Sequence, residues 1–210
     1  VFLVALVFRI DGVLRTEFSD GVSPTAPNLF VVDLQDDQRA GFDEALARHR
    51  TPPLEVAALV RSRIVALSDR PVAELYPDPE AAPWWINREY TLTFRDAPGD
   101  AERLLKGRFW SPGSTEPEAS LERSTAERLG LDLGSWFTLD VQGAELRVRV
   151  TSIRTVRWSS MRPNFFMILP PRLLADAPRS WFAVAHVPDA TTRADIQRDL
   201  VRRFPNLMVL

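Results

Sequence analysis

"STAERLGLDLGSWFTLDVQGAELRVRV", residues 124–150, decides the fold, because a helix end, a stop and a hairpin follow one another within it. Ala126 and Leu129 put apolar contacts on a short helix. Gly130 ends that helix, since glycine enters the left-handed region without a Cβ penalty, and Leu131 then folds back on the last turn. Beyond Gly134, Phe137, Leu139 and Val141 alternate with Trp136, Thr138 and Asp140, while Leu146, Val148 and Val150 alternate with Arg147 and Arg149. Period two is the mark of half-buried strands. A two-residue turn at Gln142-Gly143 sets Val141 opposite Ala144, Leu139 opposite Leu146, Phe137 opposite Val148, Thr138 opposite Arg147 and Trp136 opposite Arg149. One face of this hairpin is then apolar. The other is expected to carry a Trp136/Arg149 cation–π contact, worth about 0.5–1 kcal/mol if exposed, and opposes Asp140 to Glu145, a like-charge pair.

Working outward, 210 residues with 45% apolar content can bury a sizeable core as one elaborate domain or two small ones. The formal charge of −2 gives no reason to invoke nucleic acid, although 25 of the 26 cationic residues are arginine. Without cysteine there is neither a disulfide framework nor a thiolate metal site, and the compartment stays open. The opening "VFLVALVFRI" carries eight apolar residues in a row, too few to span a bilayer, which takes about 20. It is read either as a core strand or as the outer end of a transmembrane helix.

Two β-α-β units flank the middle of the chain. In the first, "LFVVDL" (29–34) is a strand, Asp36 is expected to cap a helix whose Phe42, Ala45, Leu46 and His49 share one face, Pro52 and Pro53 end it, and "LEVAALVRSRIVAL" (54–67) is a long strand. In the second, "SWFAVAHV" (180–187) is a strand, Thr192 with Asp195 resembles a capping pair, Ile196, Leu200, Val201 and Phe204 line a helix face, and "NLMVL" closes the chain. Two right-handed crossovers pack both helices on one face of a four-stranded sheet. The expected class is therefore α+β: a split β-α-β, ferredoxin-like subdomain with an inserted β-rich subdomain. Its bounds are an N-terminal segment 1–28, a first half 29–69, an insertion with linkers 70–178 and a second half 179–210. Within the insertion, proline-rich residues 70–84 are the crossing linker, 170–180 the return, and "INREYTLTF", "GRFW" and "SMRPNFFMILPP" mostly strands.

Catalytic patterns are missing. His49 and His186 are far apart, and His49 sits on a buried helix stripe, so core or surface roles stand ahead of metal ligation. Asp36-Asp37 and Asp189 are what a helix dipole favours near its start. No G-x-S-x-G, G-x-x-x-x-G-K-[ST] or G-x-G-x-x-G occurs, so hydrolase, NTPase and dinucleotide-binding classes lack their supports, and no enzyme, cofactor or metal is expected. Arg147, Arg149, Arg154 and Arg157 form either a solvated sheet face or a cationic stripe for a phosphate headgroup or acidic partner. Of six tryptophans, Trp84, Trp85 and Trp110 adjoin proline-rich or loop-like segments, where full burial is hard to arrange. They serve either packing between subdomains or a surface for a partner or apolar ligand.

The segment "ERSTAERLGLDLGSWFTLDVQGAELRVRVTSI", following "GRFW", resembles the extracytoplasmic core domain of FtsX-like, MacB-type ABC transporter permeases. "APNLFVVDLQDDQ" (26–38), "NREYTLTFRD" (87–96) and "WSSMRPNFFMILPP" (158–171) are similar, in matching order, to the YbbP-like branch of that family. Ser135 stands where the family's turn usually has Asp, a change that weakens one turn hydrogen bond, and residues 112–118 are unusually polar and proline-rich. The resemblance implies a "porter" subdomain from the flanking units, a "sabre" subdomain from the insertion, and a transmembrane end for the N-terminal run. It further implies a non-catalytic periplasmic domain of an inner-membrane permease, coupling ATP-driven helix movement to extracytoplasmic handling of lipid or hydrophobic substrates. The partners it implies are a cytoplasmic ABC ATPase and a periplasmic esterase. Trp84, Trp85, Trp110, Trp136, Arg147 and Arg149 would be the partner or lipid contacts. A free-standing extracytoplasmic module for a small apolar ligand, its pocket lined by the same aromatic residues, is the competing class.

Overall fold

The computed structural model describes residues 26–210. The strand-or-membrane-helix expectation for residues 1–10 and most of the N-terminal segment 1–28 lie outside the described residues. In chain order the elements are β1 (Leu29–Leu34), α1 (Arg39–Arg48), β2 (Glu55–Leu67), β3 (Arg70–Pro71), α2 (Val72–Leu75), α3 (Trp84–Asn87), β4 (Tyr90–Phe94), β5 (Glu102–Gly107), β6 (Glu118–Glu122), α4 (Arg123–Leu129), β7 (Trp136–Val141), β8 (Ala144–Val156), β9 (Met167–Leu169), β10 (Ser180–Ala185), α5 (Ala190–Arg203) and β11 (Met208–Val209). The fold mixes helix and strand, and sheet dominates it. Among the described residues two compact units result: one holds 26–57, 157–164 and 180–210, and the other holds 58–156 and 165–179. Among the described residues no helix is long and apolar enough to cross a membrane.

In the first unit β1 pairs antiparallel with β10 on one side, Phe30 opposite Val184, and with β11 on the other, Val31 opposite Val209. The Leu54 N–H donates to the Val184 carbonyl at 2.8 Å where β2 begins beside β10, giving the order β11-β1-β10-β2. Leu29, Val31 and Leu34 of β1 bury one face, as alternation requires, against Phe42, Ala45 and Leu46 of α1 and Ile196 and Leu200 of α5. Both helix starts differ from expectation. Gln35 donates its backbone N–H to Gln38 Oε1 at 3.2 Å at the first, while Asp36 Oδ1 instead accepts from Trp181 Nε1 at 2.5 Å. At α5 the cap is Asp189, whose Oδ2 accepts the Thr192 N–H at 2.6 Å. The helix begins two residues before Thr192, so that threonine already lies inside the first turn. His49 falls at the end of α1 and is only half-buried.

In the second unit the 13-residue strand β8 is the organiser. Its first half pairs antiparallel with β7 in the anticipated register, Trp136 opposite Arg149 and Val141 opposite Ala144. Its second half lies between β6, parallel, and β5, antiparallel. β2 pairs with β4 through Val60–Ser62 and with β7 through Arg63–Leu67, and β9 joins β4 to β6. Phe137, Leu139, Val148 and Val150 are buried with Leu121, Ala126, Leu129 and Leu92 in one apolar cluster. α4 ends as its sequence requires, with Gly130 at φ 65° and the Leu131 N–H on the Ala126 carbonyl at 2.9 Å. Ser135 keeps a turn bond, its Oγ accepting the Asp132 N–H at 3.1 Å.

Some expected strands are shorter or displaced. "GRFW" is not a strand: β5 ends at Gly107, and Trp110 leaves the ladder. In "SMRPNFFMILPP" only Met167–Leu169 pairs, because prolines 163, 170 and 171 give no ladder donors. The stretch 70–84 holds β3, α2 and the first residue of α3.

Two glycines separate backbone conformation from steric room. Gly130, at φ 65°, has nothing within 4 Å of where a Cβ would sit; Gly107, at φ 74°, would place one 2.1 Å from the Thr151 carbonyl oxygen. Gly130→Ala should cost about 1–2 kcal/mol, whereas Gly107→Ala adds overpacking against backbone and should cost about 2–5 kcal/mol. Chemical denaturation of the two variants checks the order; equal losses would contradict the close approach of β5 to β8.

Candidate functional site

Trp84 and Trp85 open α3 directly after Pro83, and Ile86, buried in the apolar cluster, fixes the turn. With Ile86 inward, Trp84 is left 51% exposed, Trp85 packs against the core, and the two indoles meet edge to face at 6.0 Å. Arg88 lies four residues on from Trp84. Its guanidinium sits 4.8 Å from the Tyr90 ring, 5.0 Å from Phe166 and 5.5 Å from Trp84. Arg128, in the last turn of α4 where the helix dipole favours a cation, reaches Trp84 from a second direction at 5.9 Å. Tyr90 donates its hydroxyl to the Trp85 carbonyl at 2.6 Å. Burial pushes that phenol above its ordinary pKa, with the charges of Arg88 and Arg128 pulling the other way.

Trp136, Arg147 and Arg149 form a second cluster. The cross-strand register puts Arg149 opposite Trp136, but its guanidinium is 5.8 Å from the ring, while that of Arg147 stacks at 3.9 Å. The anticipated Trp136/Arg149 contact is thus mainly a Trp136/Arg147 contact. Asp69 is the reason: its carboxylate takes Arg147 Nε at 2.8 Å and Nη2 at 3.0 Å and holds the fork over the indole. The same bond keeps the Asp69 carboxyl below its ordinary pKa.

Trp110 is only 3% exposed, its Nε1–H donates to the Arg95 carbonyl at 3.1 Å, and its ring packs on Phe109 at 4.1 Å. The outward contact expected of it does not fit that burial, because an indole beside a loop found both an apolar neighbour and an acceptor for its N–H. Arg154, grouped with the cationic stripe, is wholly buried. Arg157 is exposed but belongs to the other unit.

Around Arg154 lies a charge cluster that sequence inspection did not reveal. Arg154 Nε is 3.3 Å from Glu102 Oε1, and its Nη2 donates to the Phe165 carbonyl at 2.6 Å. Glu102 Oε2 meets Arg95 Nη2 at 2.6 Å and accepts the Gly99 N–H at 2.9 Å. Burial lowers the Arg154 pKa to about 10, Glu102 opposing and Arg95 reinforcing the shift, so the side chain remains charged at neutral pH. A shift between Ala119 and Ser120 of β6 interrupts the β8 alternation; Ile153 then enters the apolar core, and Arg154, next along the strand, faces the other way. Arg154 Nη1 lies buried without a hydrogen-bond partner, so the cluster is not fully satisfied from within. Among the described residues, no group of three or more His, Asp or Glu side chains is arranged to hold a metal ion.

Comparison with known proteins supplies the class: the chain is a homologue of an ABC transporter permease. The particular relative is the uncharacterized ABC transporter permease YbbP of Escherichia coli (strain K12), 31% identical over 208 residues, which make up 99% of this chain and 24% of that protein. The chain therefore spans about a quarter of its relative's length, and the resemblance carried by its four ordered segments is borne out. No family model matches. Two solved structures align at low identity. The periplasmic region of MacB from Actinobacillus actinomycetemcomitans is 11% identical with a TM-score of 0.46, covering 91% of this chain and 92% of that one. A domain of a putative permease protein from Porphyromonas gingivalis is 12% identical with a TM-score of 0.41, covering 86% of each.

The buried cluster generates a stability test. Glu102→Gln leaves Arg154 and Arg95 without their shared carboxylate and should cost about 3–5 kcal/mol, while replacing the pair together (Glu102→Leu with Arg154→Met) should recover much of that loss. Urea unfolding of both variants measures it. A Glu102→Gln protein as stable as the parent would show that the cluster does not hold the segment around β5.

Proposed function

We propose that the chain is the extracytoplasmic, non-catalytic domain of an ABC transporter permease, periplasmic in location, working through its parent protein with a cytoplasmic ABC ATPase. The observation that carries this reading is homology to a permease along 99% of the chain. The domain's role is mechanical: it receives the ATP-driven movement of membrane helices and applies it to a lipid or other hydrophobic substrate, or to a protein such as an esterase outside the membrane. In this reading the first unit is the ferredoxin-like porter subdomain. Its support is the order β11-β1-β10-β2, the antiparallel pairing on both sides of β1, and two helices sharing one core. The second unit is the β-rich sabre subdomain inserted between the porter halves.

The contact residues are also part of the proposal, narrowed by burial to Trp84 and Trp85, with the Trp136–Arg147–Arg149 group behind them and Trp110 removed. Exposed indole beside guanidinium supports contact with a partner, since Trp, Tyr and Arg dominate the energetics of protein interfaces.

The lack of any native cysteine in the chain makes location directly measurable. A Glu116→Cys variant, altered at an exposed loop position, carried in the parent permease should react with a membrane-impermeant maleimide on intact cells. Labelling that appears only after the cells are broken open would place the domain inside and overturn the reading.

A further inference from the structure

In the second unit β5 pairs with β8 alone, so its other edge has no strand beside it among the described residues. An open edge presents backbone N–H and C=O groups that an extended chain can take up as a ladder. Edges are ordinarily blunted by charge, yet the middle of this one is Leu104-Leu105, 37% and 44% exposed. Neither leucine belongs to the unit's apolar cluster. Charge holds the strand instead: the buried side chain of Glu102, at its first position, meets Arg154 and Arg95. β5 is thus fixed at one end while its apolar middle is left outward.

We propose that β5 is a strand-addition site: an extended segment of a partner protein pairs along its open edge, with an apolar residue beside Leu104 and an acidic residue beside Arg103. This rests on the reading of the domain as one that meets a partner protein, and names a second surface for it. Pairing with β8 sets the two faces. Leu104 lies opposite Arg154 and Arg103 opposite Thr155, so the two side chains leave the sheet on opposite faces, and a strand of alternating apolar and acidic residues matches both. Lys106 shares the Arg103 face but stays with Asp132, Nζ to Oδ2 3.1 Å. The cation left for a partner is Arg103, which is exposed and makes no ion pair among the described residues. Because β5 is held extended before a partner arrives, the ordering cost falls on the incoming segment. A second copy of the chain fits less well. Antiparallel self-pairing centred on the two leucines would put the bulge at Leu105 in the middle of the ladder and Arg103 opposite Lys106, a like-charge pair.

The test uses the whole 210-residue chain and three probes: a synthetic peptide of alternating Val and Glu, its Lys-for-Glu counterpart, and the Val-Glu peptide N-methylated throughout, which has no ladder donors. Amide hydrogen exchange in β5 should slow with the Val-Glu peptide and stay unchanged with the N-methylated one. Affinity should fall at least about fivefold in both Leu104→Asn and Arg103→Glu and stay unchanged in Arg70→Gln. Arg103→Glu should also turn the preference to the Lys peptide, and its exposed position keeps the test decisive if Leu104→Asn fails to fold. No slowing of exchange in β5 with the Val-Glu peptide, equal slowing with the N-methylated peptide, or affinity unaltered by both variants overturns the proposal. So does a chain that dimerises through β5 without peptide. Failure here with Glu116→Cys still labelled from outside the cell removes only the strand-addition site. Failure of the labelling removes the location and leaves the peptide result, obtained on the isolated chain, intact.

Discussion

The second unit depends on one strand that must satisfy three partners. β8 takes β7 along its first half, then β6 and β5 on either side of its second half, so a shift in its register would move every other strand of the hairpin and of the β5–β8–β6 layer. Strict alternation along 13 residues would turn a single face to the apolar core. The register shift opposite Ala119 and Ser120 breaks it: Ile153 takes the core face, and Arg154, which unbroken alternation would align with Val148 and Val150, turns to the opposite face and is buried there. A buried guanidinium is tolerable only when its charge is answered, and Glu102 answers it from the neighbouring strand while also taking Arg95 and the Gly99 amide. The result fastens β5, whose other residues are exposed and supply little apolar burial of their own.

That internal economy of charge also separates the two tryptophan clusters. Asp69, at φ 63° in the tight turn after β2, reaches back to Arg147 and closes the Trp136 cluster from within.

Much of this was legible in the sequence where local rules are strong. Period-two alternation with a two-residue turn at Gln142-Gly143 gave the full hairpin register, and the glycine at 130 gave the helix stop, because both are decided within a few residues. β1, β10 and α5 announced themselves as apolar runs or stripes. What stayed hidden was decided at long range. "ERLLKG" lacks alternation and "EASLE" alternates over too short a run to stand out, yet both are strands: β8 pairs with each, and β6, buried at all five positions, keeps Glu118, Ser120 and Glu122 inside. Trp110 looked exposed from its loop-like neighbours, but its N–H partner lies 15 residues earlier. Arg154 was grouped with Arg147 and Arg149 by charge alone; unbroken alternation would have set it beside Val148 and Val150, and only the register shift, which sequence does not mark, turns it to the opposite face, where Glu102 meets it.

We propose that this domain transmits movement and performs no chemistry of its own. The most direct measurement compares ATP turnover, with and without hydrophobic substrate, in the reconstituted permease and ATPase carrying either the whole domain or a short linker in its place. The account predicts that the linker version still assembles and hydrolyses ATP but no longer responds to substrate. Substrate-stimulated turnover that survives loss of the domain, or cleavage of an ester substrate by the isolated 210-residue chain, would contradict it.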